Sequence, residues 1–175
     1  MKAPVAVLDD ATRRQRQASA RDATVWVDAS AGTGKTKVLS DRVLALLLGG
    51  AKPEKILCLT YTRAAAAEMA NRINRRLAEW STAPEQELAD SLHALTGAAP
   101  DAERLAAARR LFAAALDAPG GLKIRTIHAF CESLIGRFPL EAGLAPHFEL
   151  MDERSAAAAL RATRDAVIAE ARKGE

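Results

Sequence analysis

Apolar residues along the chain alternate between two rhythms, and the changes of rhythm mark its elements. "TVWVD" (24–28) is a short β-branched and aromatic run that stops at a small-residue loop, the pattern of a buried strand feeding a turn. In "KTKVLSDRVLALLL" (35–48), Val38, Val43, Leu46 and Leu47 recur at helical spacing, and Gly49-Gly50 follows as a pair able to take a left-handed helix end. "ILCLTYT" (56–62) predicts a second strand. The helix after it places Met69, Ile73, Leu77 and Trp80 on one face and Glu68, Arg72, Arg75 and Glu79 on another. Strand–helix–strand–helix is the alternation of a parallel sheet covered by helices.

The rhythm loosens between 81 and 121. "STAPEQ", "TGAAPD" and "DAPGG" are turn-rich breaks around two helical stretches, the second being "DAERLAAARRLFAAAL", and together they predict a helical insertion. "LKIRTI" (122–127) predicts a third strand. It leads into "HAFCESLIGRF", where Phe130, Leu134 and Phe138 repeat every four residues until Pro139 ends the run. "FELMDERSAAAALRATRDAVIAEARKGE" then forms one long helical segment capped near Asp152, with nothing after it to pack against. No internal repeat is visible. The expected fold class is α/β.

Composition sharpens this picture only in part. A 49% share of hydrophobic residues is enough for a real core, while 4% aromatics and abundant alanine favour helices packed through small side chains. A net charge of +3 is compatible with a polyanionic partner but is no more than an ordinary soluble surface carries. Cys58 and Cys131 have no Cys or His companion at ligand spacing, so they read as buried, reduced thiols rather than a zinc site or a disulfide. The N-terminus has no signal-peptide core, and no run approaches the ~18 apolar residues of a membrane span. A cytoplasmic protein without a membrane partner is expected.

The strongest chemical signal is "DASAGTGKTKVL" (28–39), a glycine-punctuated loop between a predicted strand and a predicted helix. Glycines let backbone N–H groups approach a phosphate closely, and a helix start adds its positive dipole end. Gly32 and Gly34 would supply that approach. Lys35 would reach the β- and γ-phosphates of a nucleotide, and the Thr36 hydroxyl would ligate Mg²⁺. The candidate cofactor site therefore runs from Ala29, Ser30 and Ala31 through Gly32, Thr33 and Gly34 to Lys35, Thr36 and Lys37, with ATP and Mg²⁺ as cofactors and Lys35 and Thr36 as the catalytic pair. A ligand-free glycine turn is the competing reading. The usual loop opens with Gly at the position that Ala29 occupies here.

"ASAGTGKT" (29–36) resembles the nucleotide loop of UvrD/Rep-type superfamily 1 DNA helicases, whose version commonly starts with Ala. "QRQAS" (15–19) resembles that family's adenine-recognising glutamine motif, which implies that the Gln15 amide reads the base edge. Without the loop, Gln15 would read as a solvated residue on a basic helix. "LTYTRAAAAEMANRI" (59–73) is similar to a segment that touches single-stranded DNA, implying that Tyr61 stacks on a base and Thr62 bonds a phosphate. Arg63 and Ala64 stand where the family often has Asn-Lys, so Arg63 would have to supply the charge. "IRTIHAFCESLI" (124–135) resembles the Thr-x-His-x-Phe segment, implying DNA contacts from Thr126 and His128 with Phe130 in the core. The bland alternatives are a core-packed Tyr61 and a structural His128. The three motifs occur in family order and look closest to the RecB/AddA branch, the alanine-rich segment favouring AddA.

The resemblance implies a P-loop, RecA-like parallel sheet with flanking helices and helical insertions, here incomplete. Residues 1–150 would be the N-terminal part of the first RecA-like domain, with an insertion at about 81–121, and 151–175 the start of a helical insertion subdomain. It also implies ATP-dependent 3′-to-5′ translocation on DNA in double-strand-break repair, alongside an AddB-type partner. The chain holds no carboxylate pair on a later strand to hold Mg²⁺ and activate water, and neither a second domain's arginines nor a nuclease portion. The 175-residue chain alone is therefore expected to bind ATP weakly at best and not to unwind DNA, which a strand-separation assay would check. A small P-loop kinase or other NTPase, and a non-catalytic nucleotide-binding remnant, are the competing functions.

Overall fold

The computed structural model describes residues 10–30 and 32–173. Within them, seven α-helices and two strands follow one another: α1 (Asp10–Ala18), α2 (Lys35–Leu48), β1 (Leu57–Thr60), α3 (Arg63–Thr82), α4 (Glu85–Thr96), α5 (Ala102–Asp117), β2 (Lys123–Thr126), α6 (Ile127–Arg137) and α7 (Glu153–Ala171). A short 3-10 turn, Pro53–Lys55, leads into β1. The result is a helix-rich α/β chain with a small parallel sheet of two strands. It divides into two compact units, the first ending at Phe130 and the second beginning at Cys131.

The first unit is organised by α3. Met69, Ile73, Leu77 and Trp80 lie one or two turns apart and are all buried, and Glu68, Arg72, Arg75 and Glu79 are exposed on the far side. The apolar stripe meets Val43, Leu44 and Leu47 of α2, Leu88, Leu92 and Leu95 of α4, and Ala108 and Ala115 of α5 in one continuous core. Small side chains on α5 let that helix approach closely. Trp80 keeps its ring in the core because its indole N–H donates to Ser91 Oγ at 2.8 Å, which satisfies the one polar atom it buries. Gly50, with φ 86°, takes the left-handed turn after α2 that the Gly49-Gly50 pair predicts.

β1 and β2 pair in parallel from Leu57↔Lys123 to Thr60↔Thr126. Their alternation is regular: Cys58, Thr60, Ile124 and Thr126 are half-buried, while Leu57, Leu59, Lys123 and Arg125 are exposed. One face of the sheet is therefore covered by the helices.

Three sequence expectations are corrected. The segment "TVWVD" is not a strand; residues 24–30 carry no regular structure, and Trp26 is 93% exposed. β-propensity makes a strand only where a ladder partner exists, and among the described residues the two strands pair with each other alone. The chain just before this run is instead pinned by Arg42, which donates to the carbonyls of Ala20 and Ala23. Phe130 is half-buried and lies outside the core cluster, and α6 buries no residue, so a four-residue spacing set a face without setting its depth. Cys58 is half-buried, with burial pushing its thiol pKa up, and Cys131 is exposed rather than buried.

In the second unit, α7 buries no residue. Its alanine-rich sequence and its cap therefore carry its helicity. Asp152 accepts from the Ser155 backbone N–H at 2.8 Å and from the Ser155 hydroxyl at 3.0 Å, and these bonds, the backbone one foremost, hold its carboxyl below the ordinary 3.8. A carboxylate with a lowered folded pKa stabilises above its unfolded value and loses that effect as pH falls through the folded one. The helical signal in far-UV circular dichroism should accordingly fall as the pH drops below about 4, and Asp152→Ala should remove that step. An identical pH profile in the variant would show that the cap does not hold α7.

Candidate functional site

The loop before α2 has the geometry of an anion cradle. Gly32 and Gly34 have φ of 80° and 92°, which side-chain-bearing residues rarely adopt. Thr33 Oγ1 donates to the Ser30 carbonyl at 2.7 Å and closes the turn. Lys35 Nζ folds back across the loop, donating to the carbonyls of Ala29 at 2.5 Å and Ser30 at 2.6 Å. Thr36 is half-buried in the first turn of α2, where its carbonyl accepts from the buried Ser40 hydroxyl at 2.9 Å, and Lys37 pairs with Asp41 at 2.7 Å. Ala31 lies outside the described residues.

The start of α2 differs from that of its neighbours. α3, α5, α6 and α7 begin under a side-chain oxygen, from Thr62, Asp101, Thr126 and Asp152, that accepts a first-turn N–H. α4 opens with Glu85 and Glu87 in its first turn. α2 has Gly34 as its N-cap, no side-chain cap bond and no acidic residue in that turn; Lys35 and Lys37 stand there instead. Cations at a helix N-terminus oppose the dipole by about 0.3–1 kcal/mol each. Such a start is locally unfavourable by itself and favourable around a bound polyanion.

Gln15, on α1, reaches this loop. Its Nε2 lies 3.5 Å from the Thr33 carbonyl, and a Cβ added at Gly34 would meet the same nitrogen at 3.4 Å. The two segments that the sequence placed in one site by resemblance are thus adjacent.

The second group of residues gathers where the two strands end. Thr60 and Thr126 are partners in register, so the residues that follow them leave the sheet side by side. Tyr61 is 86% exposed, which excludes the core-packed alternative. Thr62 Oγ1 accepts from the Ala65 N–H and Thr126 Oγ1 from the Ala129 N–H, each at 3.1 Å. Both hydroxyls keep a proton to donate. Arg63 and His128 are both exposed at the starts of α3 and α6, and neither helix has an acidic residue in its first turn. Two positive helix ends, an arginine, two hydroxyls and a free aromatic ring therefore share the carboxyl end of a parallel sheet, the end at which such sheets bind ligands.

Sequence reasoning missed the polar pins that hold this arrangement. Arg16 Nη2 donates to the Ala94 carbonyl at 3.1 Å, and Arg42 and Ser40 act as described above. Side chain to backbone bonds across the fold have no sequence period, so no pattern announces them. Among the described residues no group of three or more His, Cys, Asp or Glu could hold a metal, and no helix is long and apolar enough to cross a membrane.

The chain is similar to the A subunit of the ATP-dependent helicase/nuclease of Pelotomaculum thermopropionicum, 37% identical over 143 residues, which cover 79% of this chain and 10% of that protein. The protein of the same name from Lactobacillus acidophilus is 33% identical over 151 residues, 86% of this chain and 11% of its own length. That of Desulforamulus reducens is 33% identical over 136 residues, 76% and 9% respectively. The chain thus spans about a tenth of the length of the curated relatives it matches. The family model of the UvrD/REP helicase N-terminal domain matches residues 11–173. With its uncapped, lysine-headed loop helix and its paired strand ends inside that match, this chain belongs to the UvrD/REP helicase family.

Proposed function

We propose that the chain is the ATP-binding segment of an ATP-dependent DNA helicase acting in double-strand-break repair, and that residues 1–150 are part of a RecA-like P-loop domain with 151–175 opening a helical insertion. The observation that carries this reading is the start of α2, where left-handed glycines and two lysines stand in place of a cap. The Ala29 and Ser30 carbonyls now holding Lys35 are exposed acceptors that phosphate oxygens would replace. The first-turn N–H groups of α2 and the backbone of Gly32 and Gly34 would face the phosphates, and Gln15 would meet the adenine edge. Thr36 fits Mg²⁺ as a single hydroxyl ligand; with no carboxylate cluster among the described residues, the ion's other ligands would be phosphate oxygens, water and groups from elsewhere in the full-length protein. Bound Mg²⁺ would offset phosphate charge as the γ-phosphoryl group passes to water.

Single-stranded DNA would lie across the strand ends, with a base stacked on Tyr61 and phosphates met by Thr62, Arg63, Thr126 and His128. The names of the relatives support ATP-driven DNA work in the full-length protein, and the word "subunit" in them supports a partner of the AddB type. A cytoplasmic location follows from a chromosomal substrate. In the full-length protein, Tyr61→Ala should weaken single-stranded DNA binding by about 1–3 kcal/mol and lower DNA-stimulated ATP turnover while sparing the DNA-free rate. Unchanged affinity would remove Tyr61 from the DNA site. Turnover indifferent to DNA would point to a small-molecule NTPase instead.

A further inference from the structure

α1 is a helix with almost nothing apolar to bury. Its sequence, DATRRQRQA, offers alanine as its only hydrophobic residue type, so its seat on the first unit cannot come from a packed stripe. On the side facing the end of α2 and the α4–α5 turn lies a cavity of about 480 Å³ lined by Arg16, Arg21, Leu48, Leu92 and Thr96, so packing is sparse there as well. Polar bonds take its place. Arg16 donates to the Ala94 carbonyl in the last turn of α4, and its guanidinium lies against Gly97, where an added Cβ would meet Nη1 at 2.9 Å. A cation at a helix C-terminus also suits the dipole there. The Ser19 hydroxyl, on a buried residue, donates back to the Arg16 carbonyl at 3.0 Å and holds the end of α1 in place.

The cost of this arrangement argues for a purpose beyond stability. Arg16 Nε is buried without a hydrogen-bond partner, and buried donors of that kind are uncommon in native proteins. The neighbouring residue in the chain is Gln15, which reaches the nucleotide loop at Thr33. Adjacent residues on one helix therefore face two different supports.

We propose that Arg16 is a positioning residue for base selection: by tying α1 to the C-terminal end of α4, it sets where the Gln15 amide stands over the nucleotide loop, and so how strongly adenine is preferred over other bases. This rests on the reading of Gln15 as the residue that meets the base. The direct bonds of an amide to a base edge are short-range and angular, so a helix free to shift by about an ångström would keep its fold and lose its discrimination. Arg16 touches no nucleotide atom in this scheme.

The test uses the full-length protein and compares kcat/KM for ATP with that for CTP in the wild type, Gln15→Ala, Arg16→Ala and Arg16→Lys. Gln15→Ala is expected to lower the ATP/CTP ratio about tenfold, the loss of one or two hydrogen bonds. Arg16→Ala is expected to lower it about three- to tenfold through KM for ATP, with kcat at saturating ATP little changed, and Arg16→Lys to recover part of it. A merely structural role would raise KM for both nucleotides in parallel and leave the ratio alone. If Gln15→Ala flattens the ratio and Arg16→Ala does not, the inference is overturned while the Gln15 reading stands. A ratio insensitive to Gln15→Ala overturns both. Should Arg16→Ala fail to accumulate as folded protein, Arg16→Gln, too short to reach Ala94, provides the same readout.

Discussion

Lys35→Ala in the full-length protein is expected to reduce ATP turnover by about 10²–10³-fold or more, the effect of deleting one preorganised donor from charge developing in a transition state. The fold should survive. The two carbonyls that Lys35 bonds, at Ala29 and Ser30, lie in an exposed loop where water can replace the ammonium group. Removing a cation from the first turn of α2 even relieves an unfavourable dipole interaction. Wild-type thermal stability without nucleotide, combined with loss of turnover and of nucleotide-induced stabilisation, is the expected pattern. A variant that keeps wild-type turnover would leave the loop a structural turn or a docking element.

Leu77→Ala is expected to cost about 2–5 kcal/mol of stability. Leu77 is 0% exposed and stands on the α3 stripe between Ile73 and Trp80, against helices that meet it from several sides. Relaxation into the space left behind is limited when neighbours are held on separate helices. Urea unfolding followed by tryptophan fluorescence suits the measurement, because Trp80 is buried and Trp26 is open to water, so the change in emission reports mainly on the core. Leu116→Ala, on the exposed side of α5, should shift stability by no more than about 0.5 kcal/mol. Equal effects at the two positions would mean that the α3 stripe is not the centre of the unit.

The helices were legible in the sequence because their signals are local. The spacing of Met69, Ile73, Leu77 and Trp80, the Gly49-Gly50 stop and the Asp152 cap each act within a turn or two, and each is found where the pattern places it. The two paired strands were legible as well, since "ILCLTYT" and "LKIRTI" find one another. "TVWVD" misled for the same reason that they succeeded: a strand is a relation between two segments, and composition describes only one of them. Phe130 misled because helical spacing defines a direction but not what, if anything, lies along it, and Cys131 because the lack of a ligand companion says nothing about depth. At the candidate site, the glycine φ values and the exposed ring of Tyr61 follow from the motif. The Arg16 and Arg42 anchors were invisible, because their acceptors are backbone carbonyls that any residue supplies.

The parallel pairing of β1 with β2 also orders events in time. Parallel strands cannot be joined by a tight turn, and here the connection from Thr60 to Lys123 contains all of α3, α4 and α5. Closing a loop of that length by chain diffusion is entropically costly, whereas helices in sequence-adjacent pairs find their partners quickly. The helical core should therefore condense first and bring Thr60 and Thr126 within reach, so that the shared strand ends take shape last. On a ribosome, the Tyr61 and His128 surface would come into existence only after β2 has emerged, well after the nucleotide loop has left the tunnel.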